Sequence, residues 1–344
     1  MVITSLFSLS KKNTPYPVIG QDGYAAVMGQ HILPILKALC TEGYLMREDG
    51  LKLFYKVYRT TAKELRGTVV ISHGFSESCM KYCEVIFYFL REGFHVVIFD
   101  HRGHGRSRKE GDAAENISKI PTHIEHFQDY VDDLDTLIRE IVTAQLPGPY
   151  TLYAHSMGGC IGTLYLEQHP DIFEKAVLSS PMLEVHRGGL PKWAVKALTA
   201  AACALRKGNA LLAGQHLYSP AEYFEHSAST CRERYLQYYH YQLTDPFTQN
   251  GGSSFRWAKE ALHAGDLVLR PENCCRVTAE VLLFQAEQDD FVLPRGQMDL
   301  VGSIEKGTLV RVPGSKHEIY LSEDQVVENY WSVIFRFLSS GSLF

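Results

Sequence analysis

The sequence contains no run of 18 or more apolar residues, so nothing in it reads as a membrane-spanning helix. "HILPILKALC" (31–40) is too short and carries Lys37; it reads as an ordinary core or surface helix. There is no surplus of positive charge. Lys and Arg number 34 against 39 Asp and Glu, a net charge of -5, which removes the electrostatic footprint of a nucleic-acid binder. The aromatic segment "YLQYYHYQL" (235–243) interleaves too few basic residues to be a base-stacking surface; packing a helical cap or lining an acyl pocket suits it better. The eight cysteines make no C-x-x-C pair and no zinc set. Free thiols in a reducing, cytoplasmic compartment are expected. "MVITSLFSLSKKN" lacks a basic region ahead of its apolar residues, which argues against a secretory leader. Neither a Walker motif nor G-x-G-x-x-G occurs. His101 and His104 in "DHRGHGRS" have no third ligand beside them, so no metal and no cofactor is expected.

What is present is an alternation. Hydrophobic residues make up 45% of 344, enough for a full core. "GYLMREDGLKLFYKVYR" (43–59) reads as two strands about a turn at Glu48–Gly50. "GTVVISHGF" (67–75), "GFHVVIFD" (93–100), "YTLYA" (150–154), "KAVLSSP" (175–181), "AEVLLFQA" (279–286) and "GTLVRVPG" (307–314) read as further strands. Helical spacing lies between several of them, notably over 123–146, where Phe127, Tyr130, Val131, Leu134, Leu137, Ile138 and Ile141 recur at three and four. Such a rhythm implies an α/β fold, a mostly parallel sheet covered on both faces. It breaks over 182–250, which is helical without a strand signal, and then resumes. The expected organisation is a core formed by 1–181 and 251–344, with 182–250 inserted as a helical cap.

In such sheets the functional residues gather at the carboxyl ends of the strands. "YAHSMGGC" (153–160) places Ser156 between a strand and a helix, as in the G-x-S-x-G nucleophile elbow, but with Ala154 at the first glycine. A serine needs a neighbouring base, and on this arrangement the order is serine, acid, histidine. After Asp289 the chain has a single histidine, His317, in "PGSKHEIY" directly after a strand. The acid comes from "FQAEQDDFVLP": Asp289 is favoured, with Glu287 and Asp290 open. Backbone N–H groups of Met157 and of Phe75, in "SHGFSES", are placed to form an oxyanion hole. His73 reads as a group that fixes this loop rather than as a catalytic one.

The set HGFSES, FDHRGHGRS, AHSMGG, FQAEQDDFV and GSKHE resembles the α/β-hydrolase superfamily, and within it the bacterial lysophospholipase and monoacylglycerol lipase group. The resemblance runs from about Gly43 to the last helix. It implies Ser156 as nucleophile, Asp289 as acid and His317 as base, with Phe75 and Met157 at the oxyanion. The implied activity is hydrolysis of single-chain lipid esters through an acyl-enzyme, with lysophospholipids ahead of monoacylglycerols or general carboxylic esters. A proline-type aminopeptidase would need an acidic patch for a substrate amino group, and the cap is basic and apolar instead. A catalytically silent binding protein of the same fold would not need the complete serine–acid–histidine order. The segment "GGLPKWAVKALTAAACALRKGNALL" has two readings. Its apolar side covers the core while its basic side is solvated, or it lies on an anionic surface and gives a cytoplasmic protein peripheral contact with the inner membrane. The sequence does not set an oligomeric state.

Overall fold

Apolar runs bounded by glycines and charged turns become the strands of one sheet. The structure, a computed structural model, describes residues 2–5, 16–109 and 111–339. In chain order the strands are β1 (Val2–Ser5), β2 (Cys40–Met46), β3 (Leu51–Tyr58), β4 (Gly67–Ser72), β5 (Phe94–Phe99), β6 (Arg108–Lys109), β7 (Tyr150–His155), β8 (Lys175–Ser179), β9 (Glu280–Gln288) and β10 (Gly307–Lys316). Their spatial order is β1-β10-β9-β8-β7-β4-β5-β3-β2, with β6 beside β3. Every pairing from β1 to β5 is parallel, and β3 then pairs antiparallel with β5, β2 and β6.

The two-residue period of a strand sends alternate side chains to opposite faces, and both faces here are dry. Val69 and Ile71 of β4, Val96 and Ile98 of β5 and Tyr153 of β7 enter one apolar cluster. Val70, Val97, Phe99, Leu152 and Ala154 enter the other. Helix α1 (Cys83–Arg91), a broken helix over 24–39 and the C-terminal helix cover the first face. Helices α2 (Gln128–Leu137) and α3 (Met157–Gln168) cover the second. Between β8 and β9 the chain forms α4 (Lys192–Ala204), α5 (Arg232–Thr244) and α6 (Phe255–Leu267). Trp257, Ala261 and Ala264 of α6 belong to the second core cluster. Helices α7 (Pro294–Ser303) and α8 (Asp324–Ser339) complete the chain.

The structure adds to or departs from the sequence reading at three places. The helix expected over 123–146 begins at Gln128, because the preceding residues are held across to another segment: Thr122 N–H donates to Gly252 O and Phe127 N–H to Glu260. Helix α7 carried no clear signal, having few apolar residues and an internal Gly296 that packs on Glu184. The apolar side of α4 does not cover the core. Trp193, Leu198 and Leu205, just beyond its end, are exposed, and Thr199 is the helix's buried residue. No helix among the described residues is long and apolar enough to cross a membrane.

Helix α3 lies against the centre of the sheet, and its residues from Met157 through Glu167 are buried. Burial pushes the Glu167 carboxyl up to about 8, against the pull of Arg276, and its Oε1 has no hydrogen-bond partner among the described residues. The folded chain therefore holds a proton that the unfolded chain releases near pH 4.3. Stability from this group is full below that value and declines as pH rises toward 8. Glu167→Gln should raise the urea midpoint at pH 9 more than at pH 5. Equal effects at the two pH values would show that the charge of Glu167 does not limit stability.

Candidate active site

The sheet register brings the site's loops together. Ser72 of β4 lies opposite Ala154 of β7, and His155 opposite Ser179 of β8. The loops leaving these strands therefore emerge side by side. Ser156 sits between β7 and α3 at φ 52° and ψ -117°, a backbone region that costs a non-glycine residue about 1–3 kcal/mol. Its N–H donates to Ser179 O, and its own carbonyl accepts from Gly159, Cys160 and Met182. Gly158 is required by contact, since a Cβ there would lie 2.1 Å from Ser72 O. Ala154 is tolerated for a complementary reason. Its methyl faces Gly162 one turn along α3, where an added Cβ would lie 3.4 Å from it.

His317 follows β10, whose pairing with β9 shifts between Val312 and Lys316. Its Nε2 is 2.8 Å from Ser156 Oγ and its Nδ1 is 2.7 Å from Asp289 Oδ2. With a carboxylate at Nδ1, that nitrogen carries the proton and Nε2 is left to accept from the serine. Asp289 Oδ1 accepts from the N–H groups of Phe291 and Val292. Burial alone would raise its carboxyl. The hydrogen bond and charge of His317, with those two N–H groups, instead hold it below the ordinary carboxylate value. The other two carboxylates are elsewhere. Glu287 accepts from Gly314 N–H and shapes the β10 loop, and Asp290 is exposed.

Phe75 lies in the loop after β4 with its ring against Trp257 and His104, and Met157 opens α3, where the first N–H groups are uncommitted. His73 fixes this loop: Nδ1 donates to Gly74 O and Nε2 accepts from His101 N–H. Burial lowers the basicity of His73, His101 and His104. The "DHRGHGRS" turn wraps Asp100, which accepts from Cys79 and Arg106 N–H; a Cβ on Gly105 would lie 2.0 Å from its carboxylate. All eight cysteines are free.

A group of side chains beside the site had no motif to announce it. Glu77, Lys81, Tyr82, Glu318 and Tyr320 meet behind His155. The i, i+4 spacing of Glu77 and Lys81 is the one trace of it in the sequence. The aromatic stretch in α5 packs here as well: Tyr238 is buried, with its hydroxyl 3.4 Å from Ser78 Oγ and its ring 5.3 Å from Lys81 Nζ.

The family described as Serine aminopeptidase, S33 matches residues 63–325. The chain is 32% identical over 273 residues to lysophospholipase L2 of Escherichia coli strain K12, covering 74% of this chain and 75% of the relative. It is 26% identical over 313 residues to the probable lysophospholipase L2 of Haemophilus influenzae, covering 90% and 96%. Among solved structures, a soluble variant of monoglyceride lipase from Saccharomyces cerevisiae, in complex with a substrate analog, matches with a TM-score of 0.66 at 18% identity over 88% of this chain and 97% of that one. At that identity the likeness concerns the fold.

Packing at the elbow separates two substitutions that look alike on paper. Ala154→Gly removes a methyl and adds backbone freedom, and should cost about 1 kcal/mol. Gly158→Ala drives a methyl into Ser72 O and should cost about 3 kcal/mol or more. Urea unfolding of both variants checks this, and similar midpoints would refute the steric reading.

Proposed function

The chain belongs to the Serine aminopeptidase, S33 family, and on that premise we propose that it is a serine hydrolase cleaving the carboxylic ester of single-chain lipids, lysophospholipids first. Its fold and relatives make it an ester hydrolase of the α/β-hydrolase superfamily. The observation that carries the mechanism is the hydrogen-bonded series from Ser156 Oγ through His317 to Asp289 at a strained turn.

His317 Nε2 takes the Ser156 proton as Oγ attacks the ester carbonyl. The N–H groups of Phe75 and Met157 hold the oxygen as it gains charge, and one such donor is worth roughly 10²–10³ in kcat. Asp289 steadies the imidazolium. His317 returns the proton to the leaving alcohol, leaving an acyl-Ser156. Water, deprotonated by His317, then releases the fatty acid. Nothing in these steps calls for a cofactor.

The lysophospholipid reading draws on the two lysophospholipase L2 relatives, which span most of the chain. Residues 182–250 are proposed as the cap over this site. Trp193, Leu198 and Leu205, exposed together with Leu190, are proposed to touch the membrane that supplies the lipid. Lys192 and Lys196 both pair with Asp266, so among the described residues the basic charge of this face that forms no ion pair is at Arg206 and Lys207.

Ser156→Ala should lose about 10⁴-fold or more of kcat on a short p-nitrophenyl ester, with unchanged circular dichroism and no labelling by a fluorophosphonate. Retained turnover would remove Ser156 as nucleophile. Among lysophosphatidylcholine, lysophosphatidylethanolamine, monoolein and a dipeptide amide, kcat/KM should rank the lysophospholipids first and the amide last; preference for the amide would restore the peptidase reading. On anionic vesicles, Trp193→Glu combined with Leu205→Glu should abolish co-sedimentation of the folded protein. Undiminished binding would place the membrane contact elsewhere.

A further inference from the structure

Three segments that build the proposed hydrolase site converge on one buried carboxylate outside the serine–histidine–aspartate series. Glu77 is 4% exposed. Its Oε2 accepts from Gly74 N–H and from Tyr82 hydroxyl, each at 2.6 Å. Its Oε1 accepts from Lys81 Nζ at 2.8 Å and from Tyr320 hydroxyl at 3.1 Å, and faces His155 Nε2 at 3.8 Å. Lys81 Nζ also donates to Glu318, the residue after His317. One carboxylate thus ties the loop that carries Phe75 and, through a lysine, the loop that carries His317, and it lies against the residue before Ser156. Each of its oxygens is fully occupied by donors, as a buried charge requires.

The charges do not cancel. Two carboxylates share one ammonium. His155 contributes none, since burial pushes its imidazole down to about 3 despite Glu77. The ring of His155 lies 4.8 Å from that of His317. The other groups facing His317 are Asp289 and the Phe291 ring from the loop after β9, Ser156 from the elbow, and Lys316 beside it, whose Nζ is drawn off to Ser227 O.

We propose that Glu77, bridged by Lys81 to Glu318, is a positioning residue that locks the Gly74–Phe75 loop against the elbow and leaves one uncompensated negative charge beside His317. The first effect aims the Phe75 N–H at the oxyanion. The second favours the imidazolium that forms when Ser156 gives up its proton, adding to Asp289. This rests on Ser156 and His317 acting as nucleophile and base.

The two effects separate by mutation. Glu77→Gln substitutes an NH₂ group for one acceptor oxygen, so a donor on that side loses its partner, and it also removes the charge. It should lower kcat about 10- to 100-fold with KM changed less than about threefold, and move the acidic limb of the kcat/KM profile about half a pH unit or more to lower pH. Glu318→Gln, at the solvent edge with its side chain 14% exposed, leaves the Glu77–Gly74 bond intact. It should shift the same limb in the same direction with kcat within about threefold of wild type, and it keeps the test open if Glu77→Gln does not fold. A wild-type acidic limb in Glu318→Gln overturns the electrostatic role. Wild-type kcat in folded Glu77→Gln, or a loss confined to KM, overturns the positioning role. Turnover retained in Ser156→Ala would instead remove the underlying mechanism, so the two failures are distinguishable.

Discussion

The left-handed turn at Ser156 is the constraint around which the site is arranged. A parallel strand in the middle of a sheet must leave the sheet and enter a helix within one residue, because α3 packs directly back over β7 and β4. The contact of Gly158 with Ser72 O, and of Gly159 with Pro181, leaves no room for a wider turn. The strain is offset by local bonds: four backbone hydrogen bonds to the N–H and C=O of Ser156 and a fully buried helix behind it. The result is a side chain that projects at the carboxyl end of β7 while its backbone cannot relax. Everything else in the site is placed relative to it, by strand register on one side and by loops from β9 and β10 on the other.

Buried charge is handled in two ways within a short distance. Asp289 is a single carboxylate satisfied by one imidazole and two backbone N–H groups. Glu77 is satisfied by an ammonium, two phenols and a backbone N–H, and the charge of Lys81 with the hydrogen bonds of Lys81 and Tyr82 outweighs burial to keep it ionised. Neither is an isolated ion in a dry site, which would shift toward neutrality instead. Glu167, a few turns along α3, is the contrast. It has the burial without the donors, and its carboxyl rises accordingly. Burial alone does not decide the outcome; the donors around the carboxylate do.

That difference explains what was legible in the sequence. The alternation of strands and helices was visible because both periods are local. Ser156 and His317 were visible because an elbow motif and chain order restrict them to one serine and one histidine. Choosing Asp289 over Glu287 and Asp290 needed the third dimension. The three lie within four residues, and only the path of β10 decides which faces His317 and which caps Gly314. Glu77 was not visible, since its partner Tyr320 is 243 residues away and Glu318 is reached only through Lys81. The side of α4 stayed open between two readings for a related reason: an apolar helical face says that something covers it, and not what.

The helices between β8 and β9 are anchored unequally, and this follows from where each places its charge. Arg234 of α5 is fully buried. It reaches Glu84 of α1, the carbonyls of Ile19 and Ser322, and Asp324 at the start of α8. Withdrawing α5 would strand a guanidinium and a carboxylate together, a penalty of several kcal/mol. Helix α4 has no such tie. Its contacts run chiefly to α6, and its ion pairs are two lysines on the half-exposed Asp266, which water screens to about 1 kcal/mol or less each. The half of the excursion that carries the exposed tryptophan and leucines is therefore the half least committed to the core. The half that touches Ser78 and Lys81, next to the loop that carries Phe75, is the half held fast.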